Sequence, residues 1–238
     1  MSTPADIRVL DDPSVTAAEM LVEAAARAEH LALTGGSTPR VAYERAAEAA
    51  GADWGRTTLW FGDDRCVPPD DERSNYGMVK AALLDRIAGD APAARRIEGE
   101  RGPHEGAKLY ERALHDAFGD GLPALDLVFL GLGSDGHCAS LFPGQATLRE
   151  YDHLVVGVDE AGLEPFVPRV TFTLPLINAA RRVVFLVTGE GKAEPAARAF
   201  AGEPSEDTPA SLVAPATGSL TVLIDPAAAS RLPAAASA

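Results

Sequence analysis

Four segments carry residue types whose spacing could do chemistry, and each follows a short apolar run that reads as a β-strand. The most informative is Gly131-Leu132-Gly133-Ser134-Asp135-Gly136-His137-Cys138-Ala139-Ser140-Leu141-Phe142-Pro143-Gly144. Histidine is the usual general base near neutral pH, and a nearby carboxylate can fix its tautomer and stabilise its charged form. A lone loop histidine is most often incidental. Here the flanking glycine, the preceding acid and the strand-end position single out Asp135 and His137 as a catalytic pair. No Ser/His/acid arrangement is readable, which argues against a covalent route through Ser134 or Ser140.

The other three segments supply binding chemistry. In Thr34-Gly35-Gly36-Ser37-Thr38-Pro39, two glycines let backbone N–H groups approach a ligand, and Ser37 or Thr38 can cap a helix whose first turn suits Pro39. Such a helix start is an anion site, though a tight turn with a good cap would look the same. In Gly62-Asp63-Asp64-Arg65-Cys66, followed by Ser74-Asn75, carboxylates beside an arginine could orient a polyhydroxylated ligand or simply form a solvated ion pair. In Thr188-Gly189-Glu190-Gly191-Lys192, Lys192 would set a point charge near a helix start, where it could face an anion or merely solvent.

The run Gly131-Leu-Gly133-Ser-Asp-Gly136 also matches the dinucleotide fingerprint G-x-G-x-x-G, with Asp159 further on. The context argues against it. Pro143-Gly144 leaves room for only about two helical turns, and Asp135 brings negative charge where a pyrophosphate would sit. Cys66 and Cys138 are too few for a disulfide framework or a structural zinc site, and they read as reduced thiols. Each nevertheless adjoins a candidate site residue, so a neighbouring cation could activate it and apolar burial could suppress it.

The elements that must position these loops alternate along the chain. Strands are expected at Ile7–Leu10, Leu31–Thr34, Thr57–Phe61, Leu127–Leu132, Leu154–Val158, Val170–Leu174, Val183–Thr188 and Leu220–Ile224. Helices are expected at Ser14–Arg27, Pro39–Ala50, Asn75–Ile87, Gly106–Phe118 and Ala193–Ala201. Near-continuous apolar strands alternating with helices predict an α/β fold, a mostly parallel sheet with helices on both faces. Ligands of such sheets bind beyond the carboxyl ends of the strands, where all four loops fall. The segment 88–102 reads as a connection, and the alanine-rich tail from Pro226 is compatible with a helix start that frays. The 238 residues suit one domain, 1–238.

Composition bounds the partners. Hydrophobic residues make up 46% and charged residues 24%, which excludes global disorder. No apolar run approaches the roughly 18 residues of a membrane span, and no secretory leader is evident, so a cytoplasmic protein is expected. The net charge of −14 disfavours nucleic acid and anionic lipid as partners. Positive contacts to an anionic ligand must then be few and local. Only Lys80, Lys108 and Lys192 are lysines, beside 18 arginines.

Together the loops resemble the 6-phosphogluconolactonase family over nearly the whole chain. The segments that carry the resemblance are LTGGSTPR; Asp63-Asp64-Arg65 with Ser74-Asn75; GLGxDGHxASLFPG; Arg169–Leu174 as R-x-T-x-T-L; and G-x-x-K ending at Lys192. The third is the most specific. Two residues depart from the pattern: Asp64 where Glu is common and Cys138 where Thr is common. The resemblance implies a Rossmann-like sheet shared with glucosamine-6-phosphate deaminase and ribose-5-phosphate isomerase, and no metal or organic cofactor. The deaminases share GxGxDGH but continue H-x-A-F-N-E-P. Phe142 stands at their Glu, and a phenyl ring carries no proton.

The implied reaction is hydrolysis of 6-phospho-glucono-1,5-lactone to 6-phosphogluconate in the oxidative pentose phosphate pathway, with a phosphosugar lactone as small-molecule partner. His137 is expected to activate water and Asp135 to support it. Gly35, Gly36, Ser37, Arg65 and Lys192 are expected to share the phosphate and the oxyanion, with Asp63, Asn75 and Arg169 as further substrate contacts. Arg169 could equally be an ion-pair partner. A deaminase-type enzyme or a non-catalytic sugar-phosphate sensor is the alternative. The oligomeric state is not readable, with a monomer favoured.

Overall fold

The computed structural model describes residues 5–27, 29–49 and 51–233. Asp12 accepts a hydrogen bond from Ser14 N at 3.1 Å, and Pro13 occupies the first helical position, so helix α1 (Pro13–Ala26) starts where its orphan donors are fewest. It follows strand β1 (Asp6–Val9). Next come β2 (His30–Leu33), α2 (Ser37–Glu48), β3 (Thr58–Phe61), β4 (Asp63–Arg65) and α3 (Asn75–Val79). The short β5 (Ala93–Ala94), α4 (Pro103–Phe118) and β6 (Leu127–Leu130) lead to β7 (Val155–Val158) and β8 (Arg169–Phe172). The chain ends through α5 (Leu174–Asn178), β9 (Arg182–Val187), α6 (Ala193–Ala201) and β10 (Ser219–Ile224).

Seven strands form one sheet in the order β1-β10-β9-β6-β2-β3-β5, and every neighbouring pair is parallel. Consecutive side chains of a strand face opposite ways, and β3 uses both. Trp60 packs on Tyr110 and Phe118 of α4, whereas Phe61 packs on Tyr76 of α3. Helices therefore cover both faces, which is why the central strands are apolar throughout. From β2 the chain winds outward through β3 and β5, then returns to β6 on the other side of β2 and continues outward through β9 and β10. The winding direction thus reverses between β2 and β6, where open α/β sheets bind ligands.

Several expectations need correction. The strands expected at Leu154–Val158 and Val170–Leu174 leave the main sheet. As β7 and β8 they join β4 in an antiparallel sheet, order β4-β8-β7, that pairs Arg65 with Arg169. Asp63-Asp64-Arg65 is thus a strand, not a loop. Helix α2 begins at Ser37 rather than Pro39, and Ala50, its expected end, lies outside the described residues. The expected helix Asn75–Ile87 is α3 continued by a wider turn, in which Asp85 N donates to Lys80 O at 2.9 Å. The tail forms turns rather than a helix up to Pro233, and residues 234–238 lie outside the described residues. No helix among the described residues is long and apolar enough to cross a membrane.

Candidate active site

The carboxyl ends of β2, β6 and β9 open onto one cleft of about 240 Å³. Gly35, Gly36 and Ser37 line it from the loop after β2, His137 from the loop after β6, and Lys192 from the turn after β9. The small sheet adds Asp63, Arg65 and Arg169, and α3 adds Asn75. All nine expected cleft contacts are brought together. Asp135 does not line the cleft and stands behind His137.

The loop after β6 is a set of tight turns, with no helix to carry a dinucleotide. Gly136 has φ +94° and Ala139 φ +48°, so the chain doubles back sharply on either side of His137. Gly133 N donates to His137 O at 2.8 Å, and Asp135 Oδ1 lies 2.6 Å from His137 Nδ1 and 3.1 Å from His137 N. Burial alone would raise the Asp135 pKa, but the hydrogen bonds and charge of His137 outweigh it and hold Asp135 below its ordinary value. An ionised Asp135 accepts the Nδ1 proton and leaves Nε2 as the basic nitrogen. The imidazole packs on the fully buried Phe142, with ring centroids 4.6 Å apart. Arg169 lies over the same phenyl ring at 5.3 Å.

Helix α2 starts without a side-chain cap. Gly36, at φ +117°, stands in the cap position, so the expected capping by Ser37 or Thr38 is absent. Thr38 Oγ1 instead lies 2.6 Å from Thr188 Oγ1, tying the loop after β2 to the loop after β9. The first-turn N–H groups of α2 are therefore left to whatever occupies the cleft. Gly35 has a different use. A Cβ there would fall 1.9 Å from Asn75 Oδ1, so glycine is what lets Asn75 reach the loop.

Asn75 Nδ2 donates to Asp63 O at 3.0 Å and to Asp63 Oδ1 at 3.2 Å, and Ser140 Oγ donates to Asp63 Oδ2 at 2.7 Å. The Asp63 carboxylate is thus a structural acceptor joining β4, the start of α3 and the loop after β6. Ser140 is fully buried and serves that network. Asp64 accepts from Arg65 N, Asn75 N and Tyr76 N at 2.7, 2.7 and 3.0 Å, fastening β4 to the start of α3. Burial outweighs those hydrogen bonds and raises its pKa to about 6.

Among the described residues, Arg65, Arg169 and Lys192 have no carboxylate within ion-pair distance. In a chain of charge −14, three unpaired cations around one cleft call for an anionic ligand. The Nε groups of Arg65 and Arg169 are buried without a partner in the chain, a deficit that an acceptor in the cleft would relieve. Burial lowers the pKa of Lys192, with Asp135 partly opposing, and it lowers that of Arg169 as well. Arg169 is no ion-pair partner. Its Nη2 donates to Leu163 O and Pro165 O, both at 3.1 Å.

Sequence reasoning missed Thr38, Thr188, Leu163 and Glu164 among the lining residues. Leu163 and Glu164 belong to a β7–β8 connection without motif, and only the fold reveals that it reaches the cleft. The surroundings of the two thiols oppose the activation considered from sequence. Both cysteines are free, and burial pushes the Cys66 thiol up to about 11 and Cys138 up to about 12.

The profile of the glucosamine-6-phosphate isomerases/6-phosphogluconolactonase family matches residues 10–222. Human 6-phosphogluconolactonase is 41% identical over 184 residues, covering 77% of this chain and 71% of its own. The structure of 6-phosphogluconolactonase from Trypanosoma cruzi superposes with a TM-score of 0.85 at 30% identity, covering 98% of both chains. A monomeric glucosamine-6-phosphate deaminase shares the fold alone, at TM-score 0.81 and 22% identity over 96% of this chain and all of its own.

Proposed function

The chain belongs to the glucosamine-6-phosphate isomerase/6-phosphogluconolactonase family, and from this we propose that it hydrolyses 6-phospho-D-glucono-1,5-lactone to 6-phospho-D-gluconate in the oxidative pentose phosphate pathway. The observation that carries the mechanism is the Asp135–His137 pair facing a cleft of unpaired cations. His137 Nε2 takes a proton from water as the water oxygen bonds to the lactone carbonyl carbon. Charge develops on the carbonyl oxygen, where backbone N–H groups and fixed cations are worth most. When the intermediate collapses, the bond from that carbon to the ring oxygen breaks and the imidazolium returns the proton to the leaving oxygen. Asp135 steadies the ring and its transient positive charge.

The uncapped start of α2 and Lys192 are assigned to the phosphate, and Arg65 and Arg169, partners in the small sheet, to the lactone itself. Phe142 speaks against deaminase chemistry, because the group packed on His137 cannot exchange a proton. The reading takes the enzyme as a cytosolic monomer that engages neither nucleic acid nor membranes, in keeping with its charge. A pH-stat assay on freshly generated lactone tests it, since hydrolysis releases acid. No acceleration over spontaneous hydrolysis would overturn it, as would ammonia release from glucosamine 6-phosphate.

A further inference from the structure

Three carboxylates belong to the catalytic cleft and its backing, and two of them are already committed. Asp135 is bound to His137, and Asp63 is bound to Ser140 and Asn75. Glu164 also lines the cleft, its residue is exposed, and among the described residues its carboxylate has neither an ion-pair nor a hydrogen-bond partner. Its place is fixed all the same. The buried Arg169 donates from one nitrogen to the carbonyls of Leu163 and Pro165, the residues on either side. A cation that could have neutralised Glu164 grips its flanking backbone instead and leaves the carboxylate free.

Apart from the Asn75 carbonyl, whose amide N–H groups are committed to Asp63, the remaining polar groups of the cleft are mostly donors: Arg65, Lys192 and the first-turn N–H groups of α2. They suit the phosphate and the carbonyl oxygen. A sugar lactone also carries hydroxyl groups, each of which brings a donor that needs an acceptor. A carboxylate can accept from two neighbouring hydroxyls at once and forms the stronger, charge-assisted bonds.

The geometry points to Glu164 as the specificity-determining residue that receives the ring hydroxyls of the substrate, with Arg169 as the positioning residue that presents it. This rests on the lactonase reading above. Cations at the phosphate end and a carboxylate at the hydroxyl end would orient the ring in one direction across His137. A cleft built this way favours the parent lactone over analogues lacking a hydroxyl, by the charge-assisted bond that such an analogue does not make.

The test compares wild type, Glu164→Ala and Glu164→Gln on the parent 6-phospholactone and on its 2-, 3- and 4-deoxy analogues. Glu164 is exposed, and thermal melts check that each variant stays folded. In wild type, removing the contacted hydroxyl should lower kcat/KM by roughly tenfold or more, the worth of a hydrogen bond to a charged group. In Glu164→Ala that penalty should shrink to within about twofold, and Glu164→Gln should lie between. If Glu164→Ala lowers kcat/KM by the same factor on the parent and on all three analogues, or leaves every value unchanged, the assignment is overturned. Wild type active on the parent lactone keeps that failure separate from a failure of the lactonase reading.

Discussion

One carboxylate oxygen, Asp135 Oδ1, holds His137 by both its ring and its backbone, at 2.6 Å to Nδ1 and 3.1 Å to the main-chain N. The two contacts fix different things. The backbone contact shapes the turn that carries the histidine, and the ring contact sets which nitrogen keeps its lone pair. Because Asp135 stands behind the cleft while His137 lines it, the acid can reach a ligand in the cleft only through the imidazole.

Removing the two residues should therefore give different kinetics. His137→Ala should lower kcat by about 100-fold or more while KM changes little, the usual worth of a positioned general base. Asp135→Asn should lower kcat less and keep a base with the wrong tautomer preference. Steady-state assays at several pH values distinguish them. An unchanged kcat in His137→Ala would remove His137 from the chemistry.

Lys192→Ala should act on binding. Its ammonium lacks a carboxylate partner and is partly desolvated, so an anionic ligand stabilises it more than solvent does. KM for the 6-phospholactone should rise about tenfold, and unphosphorylated gluconolactone should show no comparable loss. Equal losses on both substrates would move Lys192 away from the phosphate.

Asp64 predicts an unusual pH dependence of stability. Its carboxyl in the folded chain titrates at about 6, above the ordinary 3.8, because burial disfavours the charge. Between those values the folded protein holds a proton that the unfolded chain releases. The contribution of Asp64 to stability is thus full below about pH 4 and is lost as pH rises through 6, by roughly 3 kcal/mol. Denaturant unfolding of wild type and Asp64→Asn should show their stability difference moving against wild type over that interval. Carbon NMR should place the Asp64 midpoint near 6.

The thiols should be inert. With Cys138 almost fully buried and both thiols held well above neutral pH, little thiolate exists to react. Peroxide followed by thiol reduction should leave the activity of wild type and Cys138→Thr unchanged. A reversible loss confined to wild type would refute this.

The sequence made the parallel core readable because β2, β6 and β9 are apolar runs that only a sheet covered on both faces accommodates. It concealed β4, since Asp63-Asp64-Arg65 carries the polarity of a loop. Its two aspartates are buried only because Ser140, Asn75 and the start of α3 arrive from elsewhere to bind them. The antiparallel sheet was hidden for the same reason, as β7 and β8 are ordinary strands whose partner was unrecognisable. The candidate catalytic pair was legible because both residues share one loop. Glu164 was not, because its meaning depends on a cleft assembled by distant segments and on an arginine that grips its neighbours.

Gly133→Ala gives the sharpest test of the catalytic loop. Gly133 lacks the positive φ that would exclude alanine, so the backbone itself tolerates the change. Its surroundings do not. A Cβ there would lie 2.0 Å from His137 Nδ1 and 2.5 Å from Asp135 Oδ1, which places a methyl inside the hydrogen bond that orients the base. The imidazole must rotate away or the loop must open, and either change breaks the hydrogen bond to Asp135. We expect kcat to fall about as far as in His137→Ala, with KM for the phospholactone nearly unchanged because the cations lie on other segments. Stability should fall by only about 1–3 kcal/mol, as for overpacking at one site. The double variant Gly133→Ala/His137→Ala should then be no slower than either single variant, since both remove one function. Fully additive losses would mean that Gly133 serves catalysis by some route other than the placement of His137.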